Sequence, residues 1–421
     1  MDTGGSLDRL GRAPRFLHVD INSYFATVLQ QENPKLRGKP VGVLKSQGRT
    51  CIIAASKEAK KLGVSTGSLV NEAKTKAPGI ICVPANFDLY FYCTKTLKNI
   101  FESFNPDAEI FSLDEAFIPL DNIKLLHPDP HKLAVQIQNS IKKSLGEWVT
   151  CNVGISYNRL LAKMAGEIAP KGTILEITEE NKDDYLKSVS FKDVCGVGVR
   201  LEERLLRLGV SNPHDINTLS DDGLESEFGP FLAKELRLLG KGERSYILDR
   251  GDSHEIMQSV GRSTTGYKLE NNEWVIKRVL MNLIDEACFK LRKMGLTGRH
   301  VSIYLTGQGK VWFDHVTLKY YVRHSDEVFN LLYNNLYRKW KRDFKVIKYG
   351  IRISHLKKFS ETQPSIFKEF YKKESLYKAV DFVTEKYGFN TLHSGVILDK
   401  EYIRPEVTGF LGDKKFLFDS K

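Results

Sequence analysis

What the chain lacks narrows its class before any motif is read. It has no run of about 18 apolar residues, the length a helix needs to cross a bilayer core. Residues 1–15 contain no apolar stretch of the signal-peptide kind and are expected to form a flexible leader. Its six cysteines, Cys51, Cys82, Cys93, Cys151, Cys195 and Cys288, form no C-x-x-C pair and have no histidine at zinc spacing. Most lie in apolar runs, where a free thiol behaves as a small hydrophobe. A reducing compartment and no structural zinc are the expectation.

The length of 421 residues exceeds the size at which a single core stops growing, about 250–300 residues, so more than one domain is expected. Net charge is +11, and its distribution says more than its value. Residues 255–358 hold 20 Lys plus Arg against 9 Asp plus Glu, while the rest of the chain balances at 43 against 43. A basic excess confined to one segment is the electrostatic footprint of a polyanion partner.

Two short runs carry the chemistry. Phe16-Leu-His-Val-Asp20-Ile-Asn-Ser-Tyr-Phe25 and Phe111-Ser-Leu-Asp114-Glu115-Ala-Phe-Ile-Pro-Leu120 are apolar, β-prone segments that each bring carboxylates to one end. Mg²⁺ takes oxygen ligands and keeps waters and substrate phosphates, so two or three carboxylates suffice to hold it. Two such ions about 3.5–4 Å apart stabilise both the attacking and the leaving oxygen of a phosphoryl displacement. Taken alone, Asp20 reads equally well as a turn or helix-cap residue. Asp114 and Glu115, adjacent among Ile, Phe, Leu and Ala, repel each other and imply a counter-charge.

These runs occur in order with LRGKPVGVL (36–44), AASKEAKKLGV (54–64) and NVGISYNRLLAKMAGEIA (152–169). Over about residues 16–400 the chain resembles the Y-family (translesion) DNA polymerases of the DinB and UmuC type. The resemblance implies an α/β multidomain, right-hand polymerase. Its palm would span 16–187, with small fingers inserted at about 26–79, followed by a helical helix-hairpin-helix thumb at 188–250 and a linker at 251–258. An α/β little-finger domain at 259–358 and a tail at 359–421 would complete it.

Asp20, Asp114 and Glu115 would then be the catalytic metal ligands, with the Ile21 carbonyl as a further one, for two Mg²⁺ ions or Mn²⁺ as a substitute. Phe25, with Tyr24 beside it, falls at the steric gate that excludes a 2′-hydroxyl; by composition alone Phe25 is an ordinary core aromatic. Lys60 and Lys163 fall at triphosphate-binding positions, and Lys57 stands beside them where DinB-type members usually carry tyrosine. Each lysine alone reads as a solvated surface residue. The Lys57 segment looks closer to UmuC-like members. Cys51 and Ile53 align with the roof over the nascent base pair. Ala169-Pro-Lys-Gly172 replaces the usual Lys-Pro-Asn-Gly.

In the thumb, Gly196 and Gly198 open a helix-hairpin-helix whose bare backbone approaches a DNA phosphate, although a Gly-x-Gly also marks a plain turn. In the little finger the pattern predicts an edge strand at 259–263, a helix over 272–294 and strands at 300–305 and 312–318. A second helix over 325–340 and a closing strand at 345–353 follow. Arg262, Lys319, Arg323 and Arg352 are the phosphate-contact candidates. Gln363, Ser365, Ile366 and Phe367 resemble the bacterial β sliding-clamp pentapeptide, two apolar anchors behind an orienting glutamine; a linker would match as well. A helix and turn over 374–395 and a packed end at 415–418 complete the tail.

The implied activity is low-fidelity, low-processivity, template-directed extension of a primer by dNTPs past lesions. Partners are primer-template DNA, dNTP, the clamp and translesion accessory subunits, and the location is the cytoplasm, at the nucleoid. Two readings of other classes stand beside it. A non-catalytic clamp-bound scaffold is opposed by the three intact acids, and a two-metal nucleotide cyclase by the basic segment and the Gly-x-Gly helix. Ile53 is β-branched and stiff, which predicts a tight roof. Ile53→Ala is expected to raise bypass of bulky template adducts over wild type in primer extension; no gain would count against the assignment.

Overall fold

The computed structural model describes residues 15–45, 51–244, 248, 257–363, 367–388, 391–392 and 394–397. The chain divides into two compact units, with the boundary between Gly251 and Asp252. Residues 1–14 of the leader, most of the 251–258 linker, Ser365, Ile366 and the 415–418 segment lie outside the described residues.

In the first unit, β1 (Phe16–Ile21) leads into α1 (Tyr24–Glu32), then β2 (Val41–Leu44), β3 (Ile52–Ala55), α2 (Lys57–Lys61), α3 (Val70–Lys76) and β4 (Ile81–Pro84). There follow α4 (Phe87–Phe104), β5 (Glu109–Ile110), β6 (Glu115–Pro119), α5 (Pro130–Leu145), β7 (Cys151–Ser156), α6 (Arg159–Ile168) and β8 (Ile174–Ile177). The helices α7 (Lys182–Ser188), α8 (Val199–Arg207), α9 (Asp221–Phe228) and α10 (Pro230–Gly240) end the unit. The main sheet runs β5-β6-β1-β7-β8, with β1 antiparallel to both neighbours. A small sheet runs β3-β2-β4. Its parallel β2–β4 pair, Val41 against Ile81 through Leu44 against Pro84, carries it past residue 79, the limit expected for the inserted segment.

Local chemistry sets the helix ends. Asp129 caps α5 by accepting from the His131 and Lys132 amides, Pro130 fills the first position, and Gly146 at φ 103° ends it. Asn158 accepts from the Leu161 amide to start α6, and Pro170 follows its end. Gly196 takes φ 97°, a left-handed conformation that strains other residues, and Gly198 is the N-cap of α8.

The short helix α6 is buried from Arg159 through Gly166. Phe117, Leu160, Leu161 and Met164 form one core with Phe191, Leu205 and Leu236 of the helical part. Toward the sheet, contact is backbone on backbone: a Cβ on Gly154 would stand 1.9 Å from the Ala162 carbonyl oxygen and 2.4 Å from the Gly166 nitrogen. A Cβ on Gly166 would stand 2.7 Å from His18 Nδ1.

The second unit contains β9 (Ser259–Glu270), α11 (Glu273–Lys293), β10 (Leu296–Gly307), β11 (Lys310–Val322), α12 (Ser325–Leu331), β12 (Val346–Ser354), β13 (Lys357–Lys358) and α13 (Lys368–Tyr387). Its antiparallel sheet runs β11-β10-β12-β9. The expected closing strand is therefore internal, between β10 and β9, and the edge strand β9 runs on to Glu270. Val301, Ile303, Leu305, Ile351 and Ile353 face the buried core with α11. The helix expected to reach Trp340 is α-helical only to Leu331 and continues as a π turn and a 3₁₀ turn. The tail helix begins at Lys368, six residues earlier than expected, and ends at Tyr387 before Gly388 at φ 95°. It buries none of its own residues and docks by polar contacts, Arg292 to Asp381 at 2.7 Å, His324 to Glu374 at 2.8 Å and Lys373 to Asp326 at 2.6 Å. Among the described residues no helix is long and apolar enough to cross a membrane.

The Gly154 contact gives a direct test. Gly154→Ala must push α6 off the sheet and is expected to cost about 3 kcal/mol or more, read as a lower urea midpoint. An unchanged midpoint would contradict the close packing.

Candidate catalytic cleft

The β1–β6 register sets Asp20 opposite Glu115, and the Ile21 amide donates to the Asp114 carbonyl at 3.0 Å. Both acidic runs thus end at one place on the sheet. A cleft of about 580 Å³ opens there, lined by Asp20, Asp114, Glu115, Phe25, Ile53 and Lys60 among others. Between β1 and α1 the chain turns through Ser23, a non-glycine residue at φ 52° that also lines the cleft. Such strained backbone at a cleft is a common feature of functional sites. The turn carries Phe25 onto the wall, where its ring stacks on Tyr90 at 4.4 Å and meets Phe87 edge-on at 6.1 Å. Tyr24 is buried, and its hydroxyl donates to the Tyr90 carbonyl at 2.6 Å.

The three acids do not share one environment. Burial first, and then the charges of Asp114 and Glu115, hold the Asp20 carboxyl well above its usual range. Burial likewise pushes Asp114 up to about 6, against a 2.6 Å hydrogen bond donated by the Ser112 hydroxyl. Burial also acts to raise Glu115, but the His18 hydrogen bond and the Lys163 charge outweigh it and bring that carboxyl down to about 2. Lys163 forms an ion pair with Glu115 and a longer one, 3.4 Å, with Glu167. His18 is wholly buried, and its Nε2 lies 3.2 Å from Glu115. Of the three acids, Glu115 is the one that Lys163 pairs with, while Asp20 and Asp114 feel the charges of Lys163 and Lys60 without a close ion pair to either.

An all-oxygen donor set with surplus buried negative charge fits a hard divalent cation. Among the described residues no three Asp, Glu, His or Cys side chains converge at ligand geometry. The reason is visible: Glu115 is drawn toward Lys163 and His18, and Asp114 is tied to Ser112. Two lysines line the same cleft. Burial lowers the Lys60 ammonium, and Lys171 lowers it further, against the charges of Asp20, Glu167 and Asp114. Two lysines in one pocket suit an anion.

The structure brings together Asp20, Ile21, Tyr24, Phe25, Ile53, Lys60, Asp114 and Glu115, and places the other candidates elsewhere. Lys163 does not line the cleft; it is buried behind it against Glu115. The Lys57 ammonium packs 4.7 Å over the Trp148 ring and is also off the cleft, because α2 turns its first residue to that side. Cys51 is exposed, its thiol donating to the Gly67 carbonyl at 3.5 Å, so of the roof pair only Ile53 faces the cleft. Thr66, Glu167 and Lys171 line it without having been singled out. The changed order at 169–172 was the signal available for Lys171.

In the second unit, Arg262 and Arg323 both lie near acidic side chains. Arg262 pairs with Ile351 in register, hence lies on the helix-covered face, 3.6 Å from Glu286. Arg323 lies over the Phe359 ring at 4.1 Å and 3.6 Å from Glu374 of α13. Lys319 and Arg352 stay exposed. Gln363 and Phe367 line a separate groove of this unit with Phe359 and Phe370.

Acids at one end of a mixed sheet, with lysines lining the same cleft, on a chain whose second unit holds 27 Lys plus Arg against 18 Asp plus Glu, suit metal-assisted nucleotidyl transfer on a polyanion, and the class is fixed by the chain's relatives as a DNA-directed DNA polymerase. Residues 19–167 match the family model described as impB/mucB/samB family, and residues 257–366 match its C-terminal domain. A protein named DNA polymerase IV from Pelotomaculum thermopropionicum is 31% identical over 395 residues, covering 92% of this chain and 96% of the relative. One of the same name from Acetivibrio thermocellus is 29% identical over 391 residues, covering 91% and 97%. The chain belongs to the impB/mucB/samB family, the Y-family translesion DNA polymerases. Among solved structures, a Y-family DNA polymerase chimera built on Dbh superposes with a TM-score of 0.68 at 24% identity, covering 81% of this chain and 98% of that one. An insertion ternary complex of Dbh DNA polymerase gives 0.54 at 24% identity, covering 80% and 98%. The relatives carry the DinB-type name, and nothing among them supports a scaffold or a cyclase.

The raised Asp114 has a consequence for stability. Below about pH 3 the carboxyl is protonated whether the chain is folded or not; the penalty grows between about pH 3 and 6 and is complete above. In EDTA, Asp114→Asn is therefore expected to stabilise the fold by about 3 kcal/mol at pH 7.5, an advantage that falls below about 1 kcal/mol at pH 4. Urea titrations at the two pH values check this, and a destabilised variant at pH 7.5 would refute it.

Proposed function

We propose that the cleft of the first unit extends a DNA primer by nucleotidyl transfer, using Asp20, Asp114 and Glu115 with the Ile21 carbonyl to hold two Mg²⁺ ions, or Mn²⁺ in their place. The observation that carries the reading is the presence of both charges in one cleft: raised carboxylates at the sheet end, and Lys60 and Lys171 lining the same space. That pairing suits a substrate that arrives as a polyanion and reacts beside a cation. When bound, the ions promote attack of the primer 3′-oxygen on the α-phosphate and offset charge on the leaving pyrophosphate.

The chain's own residues do the rest. Lys60 and Lys171 draw in the triphosphate as point charges. Lys163 with His18 orients Glu115 from behind, so Lys163 is a positioning residue. Phe25, held by Tyr90 and Phe87, sits under the sugar and rejects a 2′-hydroxyl by contact. Tyr24 anchors that wall. Ile53 covers the base pair. In the second unit Lys319 and Arg352 contact phosphates, and in the first the Gly196 and Gly198 backbone does the same. The exposed ring of Phe367, beside Gln363, supports docking of residues 363–367 on a β sliding clamp, which would raise the local concentration of a weakly processive enzyme. Accessory subunits and a place at the nucleoid in the cytoplasm belong to the same reading.

The decisive measurement is Mg²⁺-dependent extension of a labelled primer on undamaged and abasic templates. Wild type is expected to extend distributively on both and Asp114→Ala on neither; tight DNA binding without extension by wild type would overturn the reading. Phe25→Ala is expected to raise ribonucleotide relative to deoxynucleotide insertion by about 10-fold or more. An unchanged ratio would remove Phe25 from the gate.

A further inference from the structure

We propose that Trp148 and Gln30 form an anchor that sets α2 in place for catalysis, and that Lys57, held on the Trp148 ring, is a positioning residue that lets Lys60 reach the incoming triphosphate. This rests on the reading that Lys60 meets the triphosphate, and adds what aims it. The helix α2 has only five residues, too few to hold a direction by its own backbone hydrogen bonds. Ala59 is wholly buried in the core of the small sheet, and the Ser56 hydroxyl accepts from the Ala59 amide to start the helix. Those two contacts tie α2 to the small sheet. Lys57 and Glu58 tie it to the part of the unit that carries the acids, and Lys60, one turn on from Lys57, lines the cleft.

Trp148 stands in the turn between α5 and β7, and β7 is the neighbour of β1 in the main sheet. Gln31, in the last turn of α1, holds that turn: its side-chain oxygen accepts from the Trp148 amide at 2.9 Å. The close approach needs Gly146, where a Cβ would stand 2.3 Å from the Gln31 amide carbon. Gln30 is 1% exposed, and its two ends are both engaged. Its oxygen accepts from the Trp148 indole N–H at 3.0 Å, and its nitrogen donates to the Glu58 carboxylate at 3.1 Å and toward the Leu36 and Lys39 carbonyls at 3.2 and 3.3 Å. One buried amide thus joins the main sheet's turn to α2, and a buried polar group so satisfied is costly to disturb. The indole ring adds a second hold, with the Lys57 ammonium 4.7 Å and the Arg37 guanidinium 5.7 Å from its centre. Arg37 in turn donates at 2.9 Å to the Gln30 and Gln31 carbonyls. A lysine held on a ring outside the cleft acts on the helix that bears it, and through the helix on Lys60.

The test is insertion of a single dNTP on an undamaged primer-template by the full-length protein with Mg²⁺, read as KM for the nucleotide and kcat. Lys57→Ala and Trp148→Leu are each expected to raise KM about 5- to 10-fold and to leave kcat within about two-fold. The double variant should be no worse than either single one, because both remove the same contact. Lys57→Arg keeps a cation on the ring and Glu58→Gln keeps an acceptor for Gln30, so both should match wild type, whereas Glu58→Ala should raise KM. In a Lys60→Ala background, adding Lys57→Ala should change KM by less than about two-fold, since the anchor acts through Lys60. A wild-type KM for Trp148→Leu, or a Lys57→Ala effect that multiplies with that of Lys60→Ala, would overturn the anchor. Lys57 is exposed, so its variants fold normally and the pair with Lys60→Ala decides the matter if Trp148→Leu proves unstable. The two failures are distinct: a wild-type KM for Lys60→Ala overturns the triphosphate reading itself, and a raised one beside unchanged Lys57 and Trp148 variants overturns the anchor alone.

Discussion

Three carboxylates gathered at the end of a sheet repel one another, and the first unit is arranged around keeping them there. Asp20 and Glu115 face each other across β1 and β6, and Asp114 is next in the chain. Lys163 pairs with Glu115, and it can do so because α6 lies against β1 and β7 with backbone touching backbone at Gly154 and Gly166. A larger residue at either glycine would lift the helix and withdraw the charge. The same helix carries the core shared with the helical part, so the packing that steadies the acids also joins that part to the sheet. The surplus negative charge is left standing, as a site that binds divalent cations requires.

The two units solve different recognition problems. The first has a concave cleft walled in part by Phe25, whose ring packs against Tyr90 and Phe87. The second has a sheet with one face covered by α11 and the other open, and its charges are sorted accordingly. Arg262 and Glu286 are paired on the covered side, and Lys348 and Arg352 remain on the open one. The tail helix α13 brings acids to Arg292, Arg323 and His324 rather than an apolar stripe to the core. Its attachment is polar, so the apolar rings of its neighbourhood, Phe367 among them, remain on the surface.

Some of this was legible residue by residue. The acidic strand ends, the aromatic after the first of them and the basic segment could be read because each depends on local pattern: alternation, adjacency and composition. Placement was not legible where side-chain direction was needed. Arg262 shares its parity with buried Val260, a sign that it points inward, but the sign means nothing until the strand is known to have a covered face. Arg323 was unreadable because its partner, Glu374, lies 51 residues away. Lys57 and Lys163 stand among sequence neighbours that suggest phosphate, and both are engaged elsewhere, one by Trp148 and one by Glu115. Lys171 lines the cleft only because the turn after α6 returns to it.

The sequence by itself determined which chemical groups the protein has, in what order, and that its acids and its surplus cations lie in different segments. Those are properties of local pattern and composition, and they survive without a fold. Only the tertiary structure decided which of several lysines meets an acid and which remains for an anion, which arginines are covered, and that a glutamine in the last turn of α1 joins a distant tryptophan to a short helix of lysines. Each of these depends on strand register and helix approach, where a shift of one residue or a few ångströms sends a side chain to the opposite face.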